Sequence, residues 1–275
     1  MIRTLITLLV GGSLLLAAPV VAQQETVVLD GSTTVGPIAK AFAEYYMEQN
    51  PGVNITVSES GSGNGAKSLI NGTCDIANMS RFMKATEFKA AADAGIMPVA
   101  HVIAMDGIAV IVHPSNPVGE LTVEQIRDIY VGKITMWSDI GGPKKKIIVI
   151  SRDTNSGTYE TFENLVMAKE KMAEGIEYVG SNGAVRQRVQ STEAAIGYVG
   201  LGFVDRTVKA LTVNGIDATP QTVASGKYPI ARPLFMFTNG YPRLGSHTHA
   251  FVTLYLTPKG QEIVDSIGFV PVTAY

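Results

Sequence analysis

Short apolar runs with strand character are followed, again and again along this chain, by runs with helical spacing, and this alternation constrains the fold more than any other feature. Val27-Val28-Leu29 reads as a buried strand and Gly31-Ser32-Thr33-Thr34 as a turn. Pro37 then sits in the first turn of a helix with Ile38, Ala41, Phe42 and Tyr45 on one face. Val53, Ile55 and Val57 alternate with Asn54 and Thr56 as a second strand. A polar loop at 60–65, a short helix at 66–71, a strand at 75–78 and a helix at 86–94 follow. Residues 99–112 form a long apolar run. Thr122-Val123-Glu124-Gln125 has the capping-box pattern and opens a helix with Val123, Ile126 and Ile129 inward. Residues 147–150 and 195–199 read as buried strands. Between them Gly157 opens a helix with Phe162, Leu165 and Val166 inward, and a last helix spans 257–267. The pattern predicts an α/β fold with parallel or mixed sheets.

The first 22 residues stand apart. Arg3 is a basic start, residues 5–16 are apolar, and Val20-Val21-Ala22 ends in the small-residue pattern that a signal peptidase reads. The expectation is a signal peptide cleaved after about Ala22 and an exported mature chain. No Cys follows the apolar run to carry a lipid anchor, and no later apolar stretch is long enough to span a bilayer. Cys74 is the only cysteine, so export proceeds without an internal disulfide, which fits a bacterial periplasm; Cys74 itself reads as a small buried hydrophobe. With 22 basic against 24 acidic residues the chain offers no electrostatic basis for a nucleic-acid partner.

Enzymatic chemistry finds little support. Of His101, His113, His247 and His249 only the last two are close, without a third metal ligand near them. No G-x-S-x-G elbow is present, and Cys74 lacks a neighbouring base. Residues 61–68 approach the nucleotide P-loop, but Ala66 stands where that motif needs glycine. The reading is a non-enzyme with no catalytic residues, no metal and no cofactor.

Three strand-to-helix turns share a composition of Gly, Ser and Thr: residues 31–34, 60–63 and 152–158. A helix N-terminus offers unpaired N–H groups and about half a positive charge. Hydroxyls there add donors, and glycine lets the backbone approach a ligand. One such turn is an ordinary cap. Three on one chain, one of them carrying Arg152, point to an oxyanion site.

These turns, with the order of segments around them, resemble the phosphate-binding component of bacterial phosphate-specific ABC importers, the PstS family. The resemblance runs from 29–35 and 60–63 through 75–81, 106–112, 121–137, 152–158, 195–200 and 228–234 to 260–264 and 268–272. It implies a two-lobed type II periplasmic binding protein fold, each lobe a mixed sheet flanked by helices, joined by two crossover strands. Residues 25–106 plus 233–275 would form one lobe and 107–232 the other. Carried over by position, Ser32, Thr33 and Thr34 should cap phosphate from the first helix, Ser62 and Gly63 from the second turn, and Ser80 and Arg81 from a strand end. Arg152, Ser156, Gly157 and Thr158 should reach it from the second lobe, with Asp153 orienting Arg152. The resemblance further implies a periplasmic monomer that delivers inorganic phosphate to permease subunits in the inner membrane. One departure bears on selectivity. Some members of the family place an Asp where this chain has Ser80, to accept the proton of hydrogen phosphate; a serine hydroxyl can either accept or donate. The rival readings are a receptor for another tetrahedral oxyanion, a secreted phosphatase, and a phosphate sensor that serves no importer.

Overall fold

A computed structural model describes residues 25–273; the leader expected over 1–22 lies outside them. In chain order the first elements are β1 (Glu25–Gly31), α1 (Gly36–Gln49), β2 (Val53–Ser58), α2 (Ser62–Ile70), β3 (Ile76–Met79), α3 (Ala85–Asp93), β4 (Pro98–Val112), β5 (Glu120–Leu121) and α4 (Val123–Tyr130). There follow β6 (Ile148–Arg152), α5 (Gly157–Leu165), β7 (Glu177–Val179), α6 (Asn182–Gln190), β8 (Ala195–Gly200), β9 (Lys209–Ala210), β10 (Thr212–Val213), α7 (Pro220–Ala224), β11 (Ala231–Asn239), α8 (His247–Val252) and α9 (Pro258–Ser266).

The strands pair in the order β2-β1-β3-β11-β4-β8-β6-β7. β1 runs parallel to β2 and β3, and β6 runs parallel to β7 and β8. Between these parallel ends lie β11 and β4, which pair antiparallel with each other. β4 serves both ends of the sheet. Its residues 98–107 pair with β11 and its residues 108–112 with β8. Residues 108–112 are wholly buried, as a strand covered on both faces requires, and that explains the long apolar run.

Two sets of core residues flank the sheet. On the β1 side Leu29, Ile38, Phe42, Leu234 and Phe251 pack together, with Leu69, Met79 and Phe237 in a second cluster. On the β8 side Ile108, Ile126, Tyr130, Trp137, Phe162 and Tyr198 pack together, with Ile150, Val185 and Val199 opposite them. Among the described residues no helix is long and apolar enough to cross a membrane.

The observed elements depart from the sequence reading in several places. α2 begins at Ser62 rather than four residues later. Gly61, at φ +98°, turns the chain sharply enough for its carbonyl to accept the Gly65 N–H at 3.0 Å, which starts the helix early. β6 extends to Arg152 because Ser151 and Arg152 pair with Tyr178 and Val179. Leu165, expected inward, is 44% exposed at the last turn of α5. β5, β7, α6, β9, β10, α7, β11 and α8 are absent from the sequence reading; α6 shows only Val185 and Val189 of its apolar residues to the core.

Candidate functional site

The three Gly/Ser/Thr turns meet. Ser32, Thr33, Thr34, Gly61, Ser62, Ser80, Arg152, Ser156, Gly157 and Thr158 line one small, tightly closed cavity. A wider groove beside Phe82, Leu165 and Phe235 is lined by acidic as well as basic side chains, Glu160 and Glu163 among them.

Local chemistry sets each turn. Asp30, at the end of β1, accepts from the hydroxyls of Ser60 at 2.7 Å and Ser68 at 2.6 Å, which ties the first turn to the second. Ser32 Oγ accepts from the N–H groups of Thr34 and Val35, at 3.1 and 3.3 Å. Ser156, the N-cap of α5, accepts from the N–H groups of Thr158 and Tyr159, at 3.1 and 3.2 Å. A hydroxyl has two lone pairs and one proton. With both lone pairs taken, Ser32 and Ser156 can only donate to a ligand. Ser62 and Gly157 open α2 and α5, where the N–H groups lack intrahelical partners.

Gly157 brings the two halves into contact. A Cβ at this position would lie 2.6 Å from Ser62 Oγ and 2.7 Å from Ser80 Oγ, so any other residue would have to displace these hydroxyls. Asn155 O, in the same turn, accepts the Gly63 N–H at 3.0 Å.

Arg152 supplies the positive charge. It is 1% exposed; Nε donates to Val179 O at 3.2 Å and one terminal nitrogen to Gly180 O at 2.8 Å. Its Nη1 is buried without a protein acceptor. Asp153 approaches only to 4.0 Å. Burial pushes the guanidinium down to about 10, partly offset by Asp153, and it remains a cation at neutral pH. A buried cation with an unpartnered N–H that lines a small cavity calls for an anion there.

Two of the sequence-expected residues lie elsewhere. Arg81 does not line the cavity. Successive residues at a strand end face opposite ways, so Ser80 turns inward and Arg81 away. Its guanidinium bonds bidentately to Glu87, at 2.7 Å for both contacts, and pairs with Glu160 at 2.8 Å. Burial lowers its pKa, but the Glu87 bonds and the Glu160 charge outweigh that and leave it raised. Gly63 is likewise outside the lining, its N–H spent on Asn155.

The sequence reading missed other contributors. Asn182 Nδ2 donates to Thr33 at 3.1 Å and Thr34 at 2.9 Å. Its signal was legible: Gly180-Ser181-Asn182-Gly183 is a fourth turn of the same composition, before α6. Arg232 and Asp106 are register partners on β11 and β4 and form a buried ion pair at 2.9 Å beneath the site. Burial pushes the Asp106 carboxyl up and the Arg232 guanidinium down, each opposed by the other's charge. Their signal was an Asp and an Arg, each inside an apolar strand.

Residues 17–259 match the PBP superfamily domain. The phosphate-binding protein PstS of Staphylococcus saprophyticus is 34% identical over 88% of this chain and 78% of its own length. PstS of Bacillus subtilis is 32% identical, over 89% and 80%. Among solved structures, a phosphate ABC transporter substrate-binding protein from Clostridium perfringens with bound phosphate superposes with a TM-score of 0.83. It is 35% identical, over 90% of this chain and all of its own.

Proposed function

This chain belongs to the PstS family of phosphate-binding proteins, within the PBP superfamily, and we propose that it is an extracytoplasmic receptor that binds inorganic phosphate between its lobes and delivers it to an ABC importer. The family's two-lobed type II fold is the one described above. The observation that carries the ligand assignment is Arg152 Nη1, a buried cationic donor without a partner on a cavity otherwise lined by hydroxyls and helix N–H groups.

In this reading Ser32, Thr33, Thr34, Ser62, Ser80, Arg152, Ser156, Gly157 and Thr158 surround phosphate. Charge-assisted bonds of about 1.5–3 kcal/mol each, less the costs of ordering and closure, give a Kd of about 0.1–10 μM. Residues 25–106 with 233–275 form one lobe and 107–232 the other. The support is that β4 changes partners at Gly107/Ile108 and that Ala231 and Arg232 of β11 pair with Gly107 and Asp106. Closure is the state the permease subunits read. Arg81 belongs to it indirectly: with Lys84 it pairs with Glu160 of the opposite lobe and latches the closed form. We place the receptor in the periplasm as a monomer, its leader removed after about Ala22.

One observation favours a second ligand class. Among the described residues no carboxylate lines the cavity, so no obligatory proton acceptor there rejects a fully ionised oxyanion such as sulfate. Calorimetric titration of unfolded-and-refolded, ligand-free protein with phosphate, sulfate, molybdate and tungstate decides between them. Micromolar or tighter phosphate binding with weak sulfate binding supports the phosphate receptor, and the reverse order overturns it. The purified protein should not turn over a chromogenic phosphate monoester, with or without zinc or magnesium; sustained turnover that copurifies with the chain would show an enzyme instead.

A further inference from the structure

The hydroxyls of Thr34 and Thr158, both lining the cavity, lie 3.0 Å apart. They are the place where hydrogen-bond capacity can be counted most closely. Asn182 Nδ2 donates to Thr34 Oγ1 at 2.9 Å, and the sense of that amide is set by its Oδ1, which accepts from Gly200 N at 3.2 Å. The terminal nitrogen of Arg232 that gives one proton to Asp106 Oδ2 at 2.9 Å shares its other between Thr158 Oγ1 at 3.0 Å and Thr34 Oγ1 at 3.3 Å. The same guanidinium is held by Asp106 through two N–H groups, at 3.1 and 2.9 Å, and by the Ser80 carbonyl at 3.0 Å. The two threonine oxygens therefore turn their lone pairs toward Arg232 and Asn182. One hydroxyl proton is spent between the two threonines, and the other has only the cavity to go to.

We infer that Arg232, fixed by Asp106, is a positioning residue of the anion site: it holds the Thr34–Thr158 pair as a hydrogen-bond donor to the bound oxyanion. This rests on the oxyanion reading above. Arg232 stands on β11, a strand between the lobes, and its two threonine acceptors come one from each lobe, so the donor pair is assembled only on closure. The arrangement also sets what this wall can recognise. It takes an oxygen that carries no proton, and leaves the Ser62–Ser80 side to meet one that does.

The test is a double-mutant cycle read by phosphate titration of the full mature chain. Arg232→Lys keeps the charge that Asp106 needs, but one ammonium cannot reproduce the planar fork. Thr158→Val removes one hydroxyl at nearly constant shape. Each single variant should weaken phosphate by about tenfold, the scale of a lost bond to a charged group. If Arg232 acts through the hydroxyl pair, the combined variant should stay within about threefold of the weaker single. Unchanged affinity in Arg232→Lys, or losses that multiply toward about a hundredfold, would overturn the inference, since a purely structural role gives independent effects. Should Arg232→Lys fail to fold, the neutral pair Asp106→Asn with Arg232→Gln, which leaves no buried charge, takes its place in the cycle. A parent protein that ignores phosphate and takes another tetrahedral oxyanion would sink the phosphate assignment alone. The cycle run with that anion then decides the role of Arg232.

Discussion

Arg152 is held by two backbone carbonyls and still has a donor left over. A lysine in its place would keep the charge but could not serve all three directions at once. Arg152→Lys should weaken phosphate by about tenfold and Arg152→Ala by more, both with the fold retained, as read by calorimetry alongside circular dichroism. An unchanged titration curve would put Arg152 outside the site. Ser80 raises the question of the ligand proton. Its N–H donates to Ser62 Oγ at 3.0 Å, and its own hydroxyl lies 3.3 Å from that oxygen, so this pair keeps the acceptor capacity that Ser32 and Ser156 have lost. Ser80→Asp adds an obligatory acceptor. It should leave phosphate binding measurable while any sulfate affinity falls by about a hundredfold or more, because like charges then meet in a desolvated site. Equal loss of both ligands in competition titrations would mean that Ser80 donates instead.

At the scale of elements the comparison is between two caps. Thr122 caps α4 in a capping box with Gln125, and Ser156 caps α5 by accepting from two N–H groups. Losing either cap should cost about 1 kcal/mol, or roughly 2–4 °C in Tm for a chain of this size. Of these two helices only α5 points its first turn at the cavity. Thr122→Ala should therefore lower Tm and leave phosphate affinity unchanged, whereas Ser156→Ala should lower both. Equal affinity in the two variants would show that the cap at Ser156 serves stability alone. The box at Thr122 is legible in the sequence because its spacing is local. The early start of α2 is not, because it depends on the Gly61 N–H reaching Gly31 O across the β1 turn at 2.7 Å.

At the scale of the whole molecule, binding depends on how closely the two halves approach, and Gly157 sets that limit. A methyl group there would meet Ser62 Oγ, Ser80 Oγ and Arg81 Cγ at 2.6, 2.7 and 3.1 Å. Gly157→Ala should hold the lobes apart, weaken phosphate by at least about tenfold, and abolish the compaction that small-angle scattering should record for the parent at saturating phosphate. Compaction equal to the parent's would show that the turn yields without cost. Scattering suits this test better than fluorescence. Trp137 is fully buried against Ala194 O in the β8-side core and does not face the cavity.

The alternation of strand and helix patterns, the export signal and the three hydroxyl-rich turns are properties of contiguous residues, so the α/β class and an oxyanion ligand are legible in the amino-acid sequence alone. Ser32, Thr33, Thr34, Ser62, Arg152, Ser156, Gly157 and Thr158 stand in turns that helix N-termini announce within three or four residues, whereas Ser80, just past a strand end, comes only from the family resemblance. Long-range pairing is not legible in this way. Arg81 resembles a ligand by position, yet Glu87, six residues on, and Glu160, from the other half of the chain, claim its charge. Asp106 reads as part of a long apolar run and Arg232 as part of a segment shared with the family, and only the antiparallel register of β4 with β11 makes them a buried ion pair beneath the site. Tertiary structure decided these roles because a buried charge settles where a partner can reach it, and sequence separation says little about which partner that is.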